Sequence, residues 1–233
     1  MLKGVHIVNF LQETTTKVEV RALAQFEMSL HSPENPKKVI LLLHGLSERG
    51  KRIFRKLSPY LPDDALILAP NAPFPLPRRS ELGVSYGFSW YFYDSSTGQY
   101  FLKQDMARSW LAELLKLYNP SSLPLTIIGF SQGGYLAPLV GLDHPNTELV
   151  IGLGCEFRDT LIQEKMHFPL VGLHGKEDDI VSMESSLNNF DKVKHLAPWS
   201  HWEAIPETKH EINQLIGKKV ASILETFNAK RSL

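Results

Sequence analysis

Leu125-Thr126-Ile127-Ile128-Gly129-Phe130-Ser131-Gln132-Gly133-Gly134 is the stretch that decides how this chain reads. It opens as a run of apolar and β-branched residues, the pattern of a buried strand. It then breaks into Gly-Phe-Ser-Gln-Gly and continues through Tyr135, Leu136, Ala137, Leu139 and Val140, whose clustering is helical. A serine between two glycines at a strand-to-helix junction has the context of a nucleophile elbow. The turn is so tight that a Cβ at Gly129 or Gly133 would strike the neighbouring strand or helix. Ser131 is therefore the candidate nucleophile, and a base, an acid and an oxyanion hole must be found elsewhere in the chain.

Outward from this turn, buried strands are predicted at residues 39–43, 65–69, 149–153 and 169–173, with a further strand at 201–205. Helical spacing separates them: residues 48–61, a helix through Met106, Trp110, Leu114 and Tyr118, residues 183–196, and a last helix from near His210 to Phe227. Residues 5–10 and 17–30 read as half-exposed strands, and residues 70–101 as a long irregular segment. Strands covered on both faces and alternating with helices predict a mostly parallel sheet of about seven to eight strands with helices on both sides. No linker or repeat interrupts the pattern, so residues 1–233 are expected to form one α/β domain.

Composition narrows the function classes. The 233 residues carry 25 basic and 25 acidic side chains, which gives no basic surplus for nucleic acid. No apolar run reaches membrane-spanning length, and the N-terminus lacks the apolar core and cleavage site of a signal peptide. A single cysteine, Cys155, excludes an internal disulfide and reads as a small core residue. A cytoplasmic protein is the expectation. No phosphate-binding glycine loop or zinc motif is present, and no cofactor is expected.

In sheets of this kind functional loops lie outside the carboxyl ends of the strands. Three strand ends pass that filter besides the elbow. Leu43-His44-Gly45-Leu46 turns so that the Leu46 N–H can join that of Gln132 in an oxyanion hole. Leu173-His174-Gly175-Lys176-Glu177-Asp178-Asp179 supplies acids downstream of the serine, and spacing alone does not choose between Asp178 and Asp179. Among nine histidines, His210 follows the last strand, with His201 as the fallback base.

Four segments, LLLHGLSERG, APNAPFP, GFSQGGYLA and LHGKEDDIV, resemble the α/β-hydrolase superfamily, in its branch of small carboxylesterases, lysophospholipases and acyl-protein thioesterases. The resemblance runs from about residue 38 to residue 227. It implies Asp178 as the acid and His210 as the base of a triad with Ser131, cleaving a small acyl ester or thioester without a cofactor. It also implies a site near Ser89-Trp90, and we expect Trp90 to line a hydrophobic acyl wall. Two positions depart from the family pattern: Asp179 stands where proline is usual, and no glycine closely precedes His210.

Overall fold

The computed structural model describes residues 26–81, 83–94 and 96–231. In chain order its elements are β1 (Met28–His31), β2 (Lys38–Leu43), α1 (Gly50–Leu57), β3 (Ala65–Pro70), β4 (Phe74–Ser80), β5 (Gly83–Ser89), β6 (Phe92–Asp94) and β7 (Gln99–Leu102). They continue as α2 (Asp105–Tyr118), β8 (Leu125–Phe130), α3 (Gln132–Asp143), β9 (Thr147–Leu153), β10 (Leu170–Gly175), α4 (Met183–Val193), β11 (Ser200–Ile205) and α5 (Gln214–Arg231). Short 3-10 turns follow α1 and α4. Residues 5–10 and most of 17–30 lie outside the described residues, which retain only β1 from the second of these expected strands.

Seven strands form one sheet in the order β1-β3-β2-β8-β9-β10-β11, with only the β1–β3 pair antiparallel. The unbroken apolar runs follow from two cores, one on each face of the sheet. In β2, Val39, Leu41 and Leu43 face the side covered by α2, α3 and α4. Ile40 and Leu42, one residue out of step, face the side covered by α1 and α5. Each such side chain removed from water stabilises the fold by roughly 1.5–3 kcal/mol. Leu42→Ala would therefore cost about 2–5 kcal/mol once the cavity it leaves is counted.

The sequence order reverses between β2 and β8, so the crevice at their carboxyl ends is a topological switch point. Register places Leu43 beside Gly129, Phe130 beside Leu153, Leu153 beside Leu173, and Gly175 beside Ile205. The loops that leave these ends therefore emerge side by side.

Two boundaries differ from expectation. The last helix begins at Gln214, because Asn213 accepts the Ile216 N–H there, so His210 sits in a loop. Residues 70–101 are not irregular: β4 pairs with β5 and β6 with β7 in two antiparallel hairpins. Pro75 and Pro77 disguised the first. Standing two apart, they turn their missing N–H groups to the same unpaired side of a two-stranded ribbon. Among the described residues no helix is long and apolar enough to cross a membrane.

Candidate active site

Ser131 has φ 49° and ψ −120°, a conformation that L-residues rarely adopt. Its N–H donates to the Leu153 carbonyl at 2.9 Å, and its own carbonyl accepts from Gly134 and Tyr135 to start α3. The flanking glycines are required by space: a Cβ on Gly129 would lie 2.2 Å from the Gly133 oxygen, and one on Gly133 would lie 2.2 Å from the Leu43 oxygen. The strain at Ser131 is thus locked between two strand ends and the first turn of α3.

From that turn the Ser131 Oγ reaches His210 Nε2 at 3.0 Å, and His210 Nδ1 stands 2.8 Å from Asp178 Oδ2. Asp178, whose side chain has no solvent exposure, accepts the Nδ1 proton. That fixes the tautomer in which Nε2 accepts from the serine hydroxyl. Burial alone would raise the Asp178 pKa. Hydrogen bonds from His210 and from the Val181 and Ile180 N–H groups outweigh it and hold the carboxyl below its ordinary value. Those two N–H groups also decide between the neighbouring acids. The chain folds back over Asp178 Oδ1, while Asp179 is exposed.

The His210 loop is held from beneath. Gly175 lets it approach, since a Cβ there would lie 2.2 Å from the Thr208 carbonyl oxygen. That carbonyl accepts from Glu177 N–H at 2.9 Å, and the buried Thr208 hydroxyl donates to Pro206 O. No glycine precedes His210 because Glu207 makes the left-handed turn itself, with φ 50°. The Phe130 ring, 4.9 Å from the imidazole, backs His210 from the elbow strand.

The N–H groups of Leu46, three residues past β2, and of Gln132, directly after the serine, donate to no protein acceptor among the described residues. What aims the first is His44, a histidine of the turn after β2 to which the sequence assigns no role. This fully buried imidazole donates Nδ1–H to the Gly45 carbonyl at 2.7 Å and accepts the Ala72 N–H on Nε2 at 3.0 Å. In a trans peptide the carbonyl and the following N–H point in opposite directions. Tethering the Gly45 oxygen to His44 therefore turns the Leu46 N–H away from the core. Burial lowers the His44 pKa to about 4, against a smaller upward pull from the Gly45 hydrogen bond. His44 is thus a fixed neutral brace.

A second histidine, His174, occupies the equivalent place below the acidic loop. The His174 Nε2 lies 2.9 Å from the Val181 carbonyl and 3.4 Å from Asp178 Oδ2, beneath the acid. The signal available for both was a histidine directly after a buried strand and directly before glycine.

Two sequence expectations need correction. Gln132 was valued for its backbone alone, but its buried side chain ties the elbow to residues 89–91. Its Oε1 accepts from Trp90 N–H at 3.0 Å, and its Nε2 donates to Tyr91 O at 2.9 Å. Trp90, expected in an acyl wall, has no exposed surface. Its indole N–H donates to the His44 carbonyl at 2.9 Å, and its ring lies 5.0 Å from the His44 ring. It packs beneath the His44 turn, with no surface to offer a substrate. Cys155 is core as expected: burial pushes its thiol pKa up, and it packs under Gly134.

A cavity of about 540 Å³ between β11 and α5 holds none of these groups. Pro169 and Trp199 in its wall precede β10 and β11, so it opens at the amino ends of the strands, away from the serine.

Several solved structures share this architecture. Esterase PE8 has a TM-score of 0.64 and 21% identity over 87% of this chain and 98% of its own. Arabidopsis thaliana SOBER1 has a TM-score of 0.64 and 22% identity over 82% and 98%. Zea mays acyl-protein thioesterase 2 has a TM-score of 0.67 and 19% identity over 86% and 98%. At such identities the likeness is one of fold, the α/β-hydrolase fold. No curated protein sequence matches the chain. The sequence model of one family does match, from the end of β1 to the first turn of α5, residues 32–215. That span contains the Leu46 turn, Ser131, Asp178 and His210, and on it the chain belongs to the serine hydrolase (FSH1) family.

Proposed function

We propose that the chain hydrolyses carboxylic esters or thioesters through an acyl-enzyme on Ser131, with His210 as base and Asp178 as its orienting acid. The observation that carries this reading is the continuous relay from Ser131 Oγ to His210 Nε2 and from Nδ1 to Asp178, at 3.0 and 2.8 Å. The N–H groups of Leu46 and Gln132, which have no protein acceptor among the described residues, are its oxyanion donors.

His210 Nε2 takes the hydroxyl proton as Oγ bonds to the acyl carbon. The carbonyl electron pair moves onto oxygen, where the Leu46 and Gln132 N–H groups stabilise it. When the pair returns, the bond to the leaving alcohol or thiol breaks, and the proton on His210 passes to that group. A water deprotonated by His210 then attacks the acyl-enzyme by the same route and frees the acid. The Asp178 carboxylate stabilises the imidazolium in both halves without taking its proton.

The rival reading, a hydrolase fold that binds without turning over, is disfavoured by the strain kept at Ser131. A binding site has no need of a serine at φ 49° within hydrogen-bonding reach of a histidine. Pre-steady-state hydrolysis of a p-nitrophenyl ester tests the proposal. A burst of nitrophenol close to one equivalent per enzyme is expected. Ser131→Ala should keep its circular dichroism and melting temperature while losing roughly 10³–10⁶ in rate. Unaltered turnover in that variant would refute the assignment.

A further inference from the structure

A cavity of about 620 Å³ opens one residue beyond the oxyanion turn, and its lining has one dominant sign of charge. Arg49, Lys51, Arg52, Arg55 and Lys56 face it against a single carboxylate, Glu48. That carboxylate is committed elsewhere: Oε1 is 2.8 Å from Arg52 Nε, and Oε2 accepts the Gly45 N–H at 3.2 Å. Arg49 is held in place by its Nε–H, which donates to the Tyr86 carbonyl at 2.7 Å, with its guanidinium over the Phe88 ring. Among the described residues no carboxylate stands within ion-pair distance of Lys51, Arg55 or Lys56.

Helix stability explains only part of this arrangement. α1 buries Ile53 and Leu57 and needs only a polar outer face. The first turn of a helix favours acidic residues, yet this one has none and carries Lys51 and Arg52 there. Arg55 and Lys56 lie in the last turn, where cations suit the helix dipole, but Arg55 stands three residues from Arg52 and four from Lys51, and Lys56 four from Arg52, where like charges repel. A first turn kept cationic against the dipole is what a functional site produces.

The basin also connects to the chemistry. A narrow cleft shares Glu48, Arg52 and Lys56 with it and is otherwise lined by Ile53, Phe130, His210, Glu211 and Ile212. The exposed Glu211 is the one further carboxylate, and it leaves the cations in excess. His210 is the group that hands its proton to the leaving group, and it lines this cleft together with three residues of the basin.

We propose that the basin binds phosphate on the leaving group: the substrate is an acyl ester or thioester whose departing alcohol or thiol carries a net negative phosphate. This rests on the acyl-enzyme reading above. The acyl chain itself would lie on the other side of Ser131, away from α1.

The test compares pairs that share one acyl chain. The thiol arm sets the hexanoyl thioester of 4′-phosphopantetheine against that of pantetheine. The alcohol arm sets 1-hexanoylglycerol 3-phosphate against 1-hexanoylglycerol. Wild-type protein should favour the phosphorylated member of at least one arm by about tenfold or more in kcat/KM, chiefly through KM. That advantage should shrink as salt is raised from about 20 to 500 mM. The arm with the preference identifies the leaving group as thiol or alcohol.

Arg55→Glu should bring the phosphorylated-to-neutral ratio down to about one or below, and Arg55→Lys should keep most of it. Equal kcat/KM within both arms overturns the proposal, as does a ratio that survives Arg55→Glu. Absence of turnover on all four compounds, together with an unreactive Ser131, would instead defeat the hydrolase reading on which it rests.

Discussion

Replacing His44 by glutamine keeps a donor and an acceptor beneath the oxyanion turn but removes a group that titrates. In the folded protein His44 has its pKa lowered from 6.5 to about 4, because burial disfavours the charged ring and Nε2 is needed to accept the Ala72 N–H. Between those two values the unfolded chain binds a proton that the folded chain refuses. His44 therefore contributes stability that is complete above about pH 6.5 and is lost as the pH falls toward 4. The gap of about 2.5 pH units corresponds to about 3 kcal/mol in all, and about 2 kcal/mol of it disappears between pH 7 and pH 5. Urea unfolding of wild type and His44→Gln at pH 7, 6, 5 and 4.5 measures it directly. The other histidines are common to both proteins and cancel in the difference. The wild-type advantage at pH 7 should narrow by about 2 kcal/mol at pH 5. Parallel stability curves would refute the assignment of His44 as a buried neutral brace.

Asp178→Asn should lower kcat by roughly 10³–10⁴, because asparagine cannot hold the His210 tautomer or stabilise the imidazolium. Since the Asp178 pKa is depressed, the stability it lends is present above about pH 4 and fades as the pH drops through the lowered value. Acid unfolding of the variant should lack that component. Gln132→Ala keeps its own backbone N–H but orphans Trp90 N–H, at about 1–3 kcal/mol, while Tyr91 O keeps the Ser89 hydroxyl as its donor. Calorimetry should record a melting temperature lower by several degrees, and an unchanged value would show that the side chain is no brace. Trp90→Phe should lose stability with its bond to the His44 carbonyl while leaving acyl-length preference unmoved. A changed preference at unchanged stability would return Trp90 to the substrate wall.

The parts of the site that were legible are those whose signal is written locally. Gly129 and Gly133 announce a turn with no room for a Cβ, and a histidine just past the last strand announces His210. What stayed hidden depends on contacts between distant segments. Asp178 and Asp179 are equivalent as letters; the difference lies in two N–H groups that fold back onto one carboxylate. The missing glycine before His210 looked like a departure because sequence does not reveal that Glu207 adopts the left-handed conformation itself. Trp90 was misread because an aromatic residue in a loop has the same spacing whether it faces inward or outward. The hairpins of residues 74–102 were obscured by alternate prolines and by a largely exposed β5, which leaves no inside-outside alternation to read.

The central claim, that Ser131 is an activated nucleophile, is tested most directly by exposing folded protein to a fluorophosphonate and mapping the adduct by peptide mass spectrometry. One phosphonyl group on the peptide containing Ser131 is predicted, absent in Ser131→Ala and formed far more slowly in His210→Ala. An adduct at another residue, or labelling that His210→Ala leaves undiminished, would contradict it.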